Sequence, residues 1–138
     1  QVSASNDVVV VLAEGTTLDL GGNAQYLAGV SGTGTITNGK LTLGTLVADP
    51  LAASVPVIDA TLAFDEMQVV EVRNAAAIAD GGLVKICDCA AVENLPAKRD
   101  LVFTGDTSWC ASYRAKLVFE DGSLYVKFEP RGMLMIVR

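Results

Sequence analysis

Histidine is absent from this chain of 138 residues. Its absence removes Ser–His–Asp and Cys–His nucleophilic catalysis together with the commonest metal-ligating side chain. Aromatic residues are only 6% of the total, and thin layers of narrow strands suit such a composition better than a thick core. Long hydrophobic runs are missing too. The longest clean one, Val8 to Ala13, has the length of a strand, far below the roughly 18 residues of a transmembrane segment. Bases are almost missing from the first half: residues 1–69 carry seven acids and one base, Lys40, whereas residues 70–138 carry nine of each. The net charge of −6 therefore sits in the first half. An acidic, base-poor surface repels phosphate backbones, which argues against nucleic acid as a partner.

Other absences narrow the chemistry. No D-x-D-x-D-G loop for calcium is present, and Gly29-Val30-Ser31-Gly32-Thr33-Gly34 has neither the G-x-G-x-x-G order nor a phosphate-binding lysine. The adjacent acids Asp65 and Glu66 would point to opposite sides of a strand, which is poor for shared acid–base work. The three cysteines, Cys87, Cys89 and Cys110, have C-x-C rather than C-x2-C spacing and no histidine to complete a zinc site. Cys110 can pair with Cys89 or with Cys87, closing a loop of about 20 residues worth roughly 3 kcal/mol; three buried free thiols are the other reading. No catalytic, metal or cofactor site is expected, and the chain reads as a non-enzyme. The opening Gln1, with no charged and apolar leader behind it, reads as the start of a processed or excised piece.

What is present is glycine. Eight of the thirteen glycines lie between residues 15 and 44, among short apolar triplets alternating with Asn, Ser and Thr. That is the pattern of many short strands joined by tight turns, with Gly21-Gly22-Asn23 and Asn38-Gly39 as the strongest turn signals. The triplets starting at Leu18, Leu41, Leu62 and Leu83 recur at a loose period of about 20 residues, the length of one coil in a β-solenoid. The expectation is one all-β domain over 1–138: a solenoid-like stack of glycine-rich rungs over 1–82, and capping strands with a hairpin over 83–138. A β-sandwich or jelly roll is the alternative. Proline places 47–56 in a loop. Residues 112–119 and 124–128 alternate cleanly as a hairpin closed by Glu120-Asp121-Gly122-Ser123.

The string Leu18-x-Leu20-Gly21-Gly22-Asn23, the stretch from Gly29 to Ile36, and Asn38-Gly39-x-Leu41-Thr42-Leu43 resemble the passenger-associated β-strand repeats of autotransporter-type bacterial surface proteins. The segment from Tyr113 to Gly132 looks like the terminal part of such repeat proteins. The resemblance implies an exported, right-handed β-solenoid with structural, adhesive or filament-forming use, located at the bacterial cell surface or outside the cell. It implies no catalytic residues, and cysteines are unusual in such passengers. The partners expected are other copies of the chain or neighbouring repeats, with host or surface glycans as a further class. Candidate assembly strands are Val8, Val9, Val10, Val11 and Leu12 at one end, and Met133, Leu134, Met135, Ile136 and Val137 at the other. A carbohydrate-binding module is the competing function, for which Trp109, Tyr113 and Tyr125 are the candidate stacking aromatics.

Overall fold

The computed structural model describes residues 8–78 and 82–131. The proposed assembly strand Met133 to Val137 lies outside them. The described chain is all-β, with eleven strands in three sheets and only three short 3-10 turns. Strands β1 (Val9–Leu12) and β3 (Gly29–Gly32) form one parallel pair. Strands β5 (Thr45–Ala48), β7 (Gln68–Val72) and β9 (Leu101–Gly105) form a parallel three-stranded sheet. The largest sheet has the order β10-β11-β8-β6-β4-β2. Its members are β2 (Thr17–Leu27), β4 (Thr35–Leu43), β6 (Val57–Ala63), β8 (Leu83–Val92), β10 (Tyr113–Glu120) and β11 (Ser123–Pro130). No closed sheet forms among these residues.

Six of the eight strand pairs are parallel, whereas a sandwich or jelly roll is built from antiparallel neighbours. A parallel neighbour requires a crossover. Here no helix supplies it: the chain passes from β2 to β4 through β3, from β4 to β6 through β5, and from β6 to β8 through β7. Register is kept along the way. Leu18 pairs with Ile36, Ile36 with Ile58, and Ile58 with Cys89, so four inward side chains stand in one column. A second column runs Leu41, Leu62, Val92, and a third, in the smaller sheet, Leu46, Val70, Phe103. Ile36, Leu41, Ile58 and Leu62 are wholly buried, and each such side chain contributes about 1.5–3 kcal/mol.

Of the three steps in the triplet period, one coincides with a strand pairing. Leu41 and Leu62 do stack, but Leu18 pairs with Ile36, and Leu83 lies opposite Lys127 in an antiparallel pair. The two strongest turn signals also do something other than reverse the chain. Gly21 and Gly22, with φ of 67° and 79°, lie inside β2, and Asn38, with φ of 64°, lies inside β4. Each breaks the ladder register for a few residues and bends its strand, which then continues parallel to the next. Gly39 is needed for closeness: a Cβ there would stand 2.4 Å from the Asn23 carbonyl oxygen.

Parallel pairing continues past residue 82, through β8 and β9, so the antiparallel element begins only where β11 joins the first half of β8. The Leu124/Tyr125 step in that pairing leaves one residue of β8, Ile86, without a partner. This bulge rephases the strand: Val84 and Ile86 are buried before it, and Cys87 and Cys89 after it. The β10–β11 hairpin matches its sequence pattern. Glu120 pairs with Ser123, and Asp121-Gly122, with φ of 51° and 77°, make the two-residue turn.

Candidate functional site

The feature with most binding potential is the edge of the sheets on the side of β1 and β2. Among the described residues β2 is the outermost strand of the large sheet and β1 that of its pair. Edge strands offer unpaired backbone N–H and C=O groups. β1 is neither charged nor interrupted by proline, and its outward Val9 and Val11 are 59% and 75% exposed. The inward Leu12 is buried, and Val8 and Val10 pack against the core. The expected assembly strand Val8 to Leu12 therefore sits at a sheet edge.

Behind that edge, polar side chains tie successive passes of the chain together. Asp19 Oδ1 accepts from the Gly21 N–H (2.7 Å) and from Asn38 Nδ2 (2.9 Å), joining the bend of β2 to that of β4. The same two bonds, the Gly21 one foremost, hold the Asp19 carboxyl below the usual range. Gln68 is wholly buried yet fully engaged. Its Nε2 donates to the Leu43 carbonyl (2.9 Å), and its Oε1 accepts from the Asp65 N–H (3.0 Å). The Tyr26 hydroxyl donates to Asp65 Oδ2 (2.8 Å), so Asp65 serves the scaffold, and this bond raises the phenol's pKa.

A second polar column follows the ends of β5, β7 and β9. Asn74 donates to Asp49 (2.8 Å), the Ala75 N–H donates to Asp106 (3.0 Å), and the Ser108 hydroxyl also donates to Asp106 (2.7 Å). Hydrogen bonding, from Asn74 first for Asp49 and from Ser108 first for Asp106, lowers both carboxyl pKa values. Neither Gln68 nor the Asp49–Asn74–Asp106 column stands out in the sequence. The only trace is an Asp or Asn just after an apolar run, which marks any turn.

The cysteines correct an expectation. Cys87, Cys89 and Cys110 are all free thiols, so neither the Cys89–Cys110 nor the Cys87–Cys110 bridge is present. The reason is placement. Cys87 and Cys89 are buried in β8, facing the core, while Cys110 is exposed on the 3-10 turn Ser108–Ala111. Interaction with the Cys89 thiol, and then burial, pushes Cys87 well up, whereas interaction with Cys87 draws Cys89 down against the opposing effect of burial.

The aromatics correct another. Trp109 is only 5% exposed. Its ring meets Phe103 at 4.9 Å and Phe128 at 5.2 Å, both edge-to-face, and Tyr113 meets Phe128 at 6.3 Å. This cluster fills the core where the hairpin joins β9, so Trp109 is a packing residue and not a surface for sugars. Tyr125 stands opposite Val118 in the hairpin, half-buried and apart from that cluster. An open groove of about 590 Å³ lies between the 49–55 loop and β8, with Asp49, Ser54, Lys85 and Asp88 on its walls. Its charges are already engaged: Lys85 donates to Asp88 (2.9 Å), which also accepts from the Ser123 hydroxyl (2.6 Å). No helix among the described residues is long and apolar enough to cross a membrane, and no group of three or more Cys, Asp or Glu among them could hold a metal ion. No family model, curated protein or solved structure matches the chain.

Proposed function

We propose that this chain is a structural or adhesive module of the bacterial cell surface: a β-solenoid-like stack, ended by the β10–β11 hairpin, that assembles by strand addition at its open edge. The observation carrying this reading is the column Leu18–Ile36–Ile58–Cys89, in which each strand crosses to its parallel neighbour through a strand of another sheet. Such a stack grows by repetition and offers a long, regular side wall without a deep pocket. Its polar groups serve the scaffold, as Asp65, Gln68 and Asp49 illustrate. The resemblance of residues 18–43 to passenger-associated strand repeats points to the same class and to export. The carbohydrate-binding alternative loses its main residue with the burial of Trp109.

The reading is tested by antibody staining of cells that express the protein. Labelling of intact cells, removed by external protease, is the expected result. Labelling only after permeabilisation overturns a surface role.

A further inference from the structure

Among the described residues the two ends of the large sheet are both edges, and the charges they carry differ. At one end is β2, whose outward acid Asp19 belongs to the register column Asp19–Thr37–Asp59. The one base of this half, Lys40, is held by Glu93 at 2.9 Å. At the other end is β10, which carries Arg114 and Lys116. Lys116 stands directly opposite Lys127 on β11, a like-charged pair that destabilises a ladder. Among the described residues the acid that approaches them is Glu129, at 3.9 and 3.7 Å. Toward the open end of the hairpin's outer face the bases Arg114, Lys116 and Lys127 thus outnumber Glu129, while Glu120 and Asp121 lie at the turn.

Direction agrees as well. β10 is antiparallel to β11, β11 is antiparallel to β8, and β8, β6, β4 and β2 are mutually parallel. β10 therefore runs the same way as β2. A second copy displaced along the sheet, without rotation, brings its β2 beside β10 in the parallel sense already used inside the molecule. The ends are stepped in opposite senses too. The hairpin projects beyond β8, whereas at the first end β1 projects one strand beyond β3, the direct continuation of β2.

We infer that the partner of the open edge is a second copy of this chain, docked head to tail, with the first part of β2 (Thr17 to Leu20) added to β10 and Asp19 set against Lys116 and Arg114. This inference rests on the self-assembly reading above and names its interface. The contact is heterologous, so each copy keeps one free head and one free tail and assembly is open-ended. Because the charges lie at an exposed rim, association weakens with salt.

The test uses the full chain in sedimentation velocity over a wide concentration range. The samples are the wild type, Lys116→Glu, which spoils the tail, and Asp19→Lys, which spoils the head, each checked for an unchanged β-sheet circular dichroism spectrum. Wild type should form oligomers that lengthen with concentration, and each variant alone should associate about tenfold or more weakly. Mixing the two variants should restore association, because every head then finds a tail of opposite charge. A wild type that stays monomeric throughout overturns both the inference and the self-assembly reading. Assembly unaffected by Lys116→Glu, or two weakened variants that fail to associate when mixed, overturns the head-to-tail interface and leaves self-assembly standing. A misfolded Asp19→Lys is replaced by Thr17→Lys, at the same edge and outside the Asp19 hydrogen bonds, with the same expected outcomes.

Discussion

The parallel passes from β2 to β8 and the antiparallel hairpin at the other end bury their cores by different means. In the parallel region, aliphatic side chains repeat in columns, and the strands bend where backbones come close, as at Gly39 beside the Asn23 carbonyl. At the hairpin, large rings interlock: Phe128 against Trp109 and Tyr113, and Trp109 against Phe103. The first region depends on what its residues lack, a Cβ at a bend, and the second on the volume its residues bring. The contrast explains why glycine and aromatic residues separate so sharply along one chain.

The contrast can be broken from either side. Phe128→Ala should have the largest effect. It empties a fully buried position in the ring cluster and should cost about 4 kcal/mol, read as a lower urea midpoint at unchanged slope. Gly39→Ala should come next, at about 3 kcal/mol, because its methyl meets the Asn23 carbonyl oxygen, a backbone atom, as well as the Leu20 side chain. The same change at Gly122, where the nearest neighbour of a Cβ is 3.9 Å away, should cost less and only through its positive φ. Gln68→Met keeps the volume but strands the Leu43 carbonyl and the Asp65 N–H. It should cost about 2 kcal/mol and speed hydrogen exchange at the ends of β4 and β6 before exchange in the hairpin rises.

Acid should produce a smaller effect. Hydrogen bonds hold the folded carboxyls of Asp19, Asp49 and Asp106 below the ordinary aspartate value of 3.8. Their bonds therefore stabilise the fold fully above the unfolded pKa, and the contribution is lost as pH falls through the folded values. The melting temperature should decline below about pH 4, and Asp49→Asn with Asp106→Asn should flatten that decline. Last, Val11→Thr on exposed β1 should leave stability within about 0.5 kcal/mol, measured by thermal melting of the monomer.

The hairpin was legible in the sequence because its information is local. Leu117 and Phe119, then Leu124, Val126 and Phe128, alternate on either side of a two-residue Asp-Gly turn. The strand content was legible for the same reason, and so was most of the loop expected over 47–56, whose first two residues instead end β5. The parallel register was not, because Ile36 and Ile58 become partners only after a whole intervening strand and loop. Asn38-Gly39 carries the same left-handed signal whether a chain reverses or merely bends. The cysteines misled for a related reason: spacing permits a bridge, but the bulge at Ile86 turns Cys87 and Cys89 inward, away from solvent-facing Cys110. Trp109 misled as well, because the rings that bury it, Phe103 and Phe128, come from distant strands.

Whether the chain bends or reverses at Asn38-Gly39 is decided by cross-strand nuclear Overhauser contacts in the labelled protein. A bend gives contacts along the parallel register, linking Leu18 to Ile36, Ile36 to Ile58 and Ile58 to Cys89, and this is the expected result. Contacts pairing Thr37 with Lys40 and Ile36 with Leu41, as a hairpin at Asn38-Gly39 requires, would contradict it.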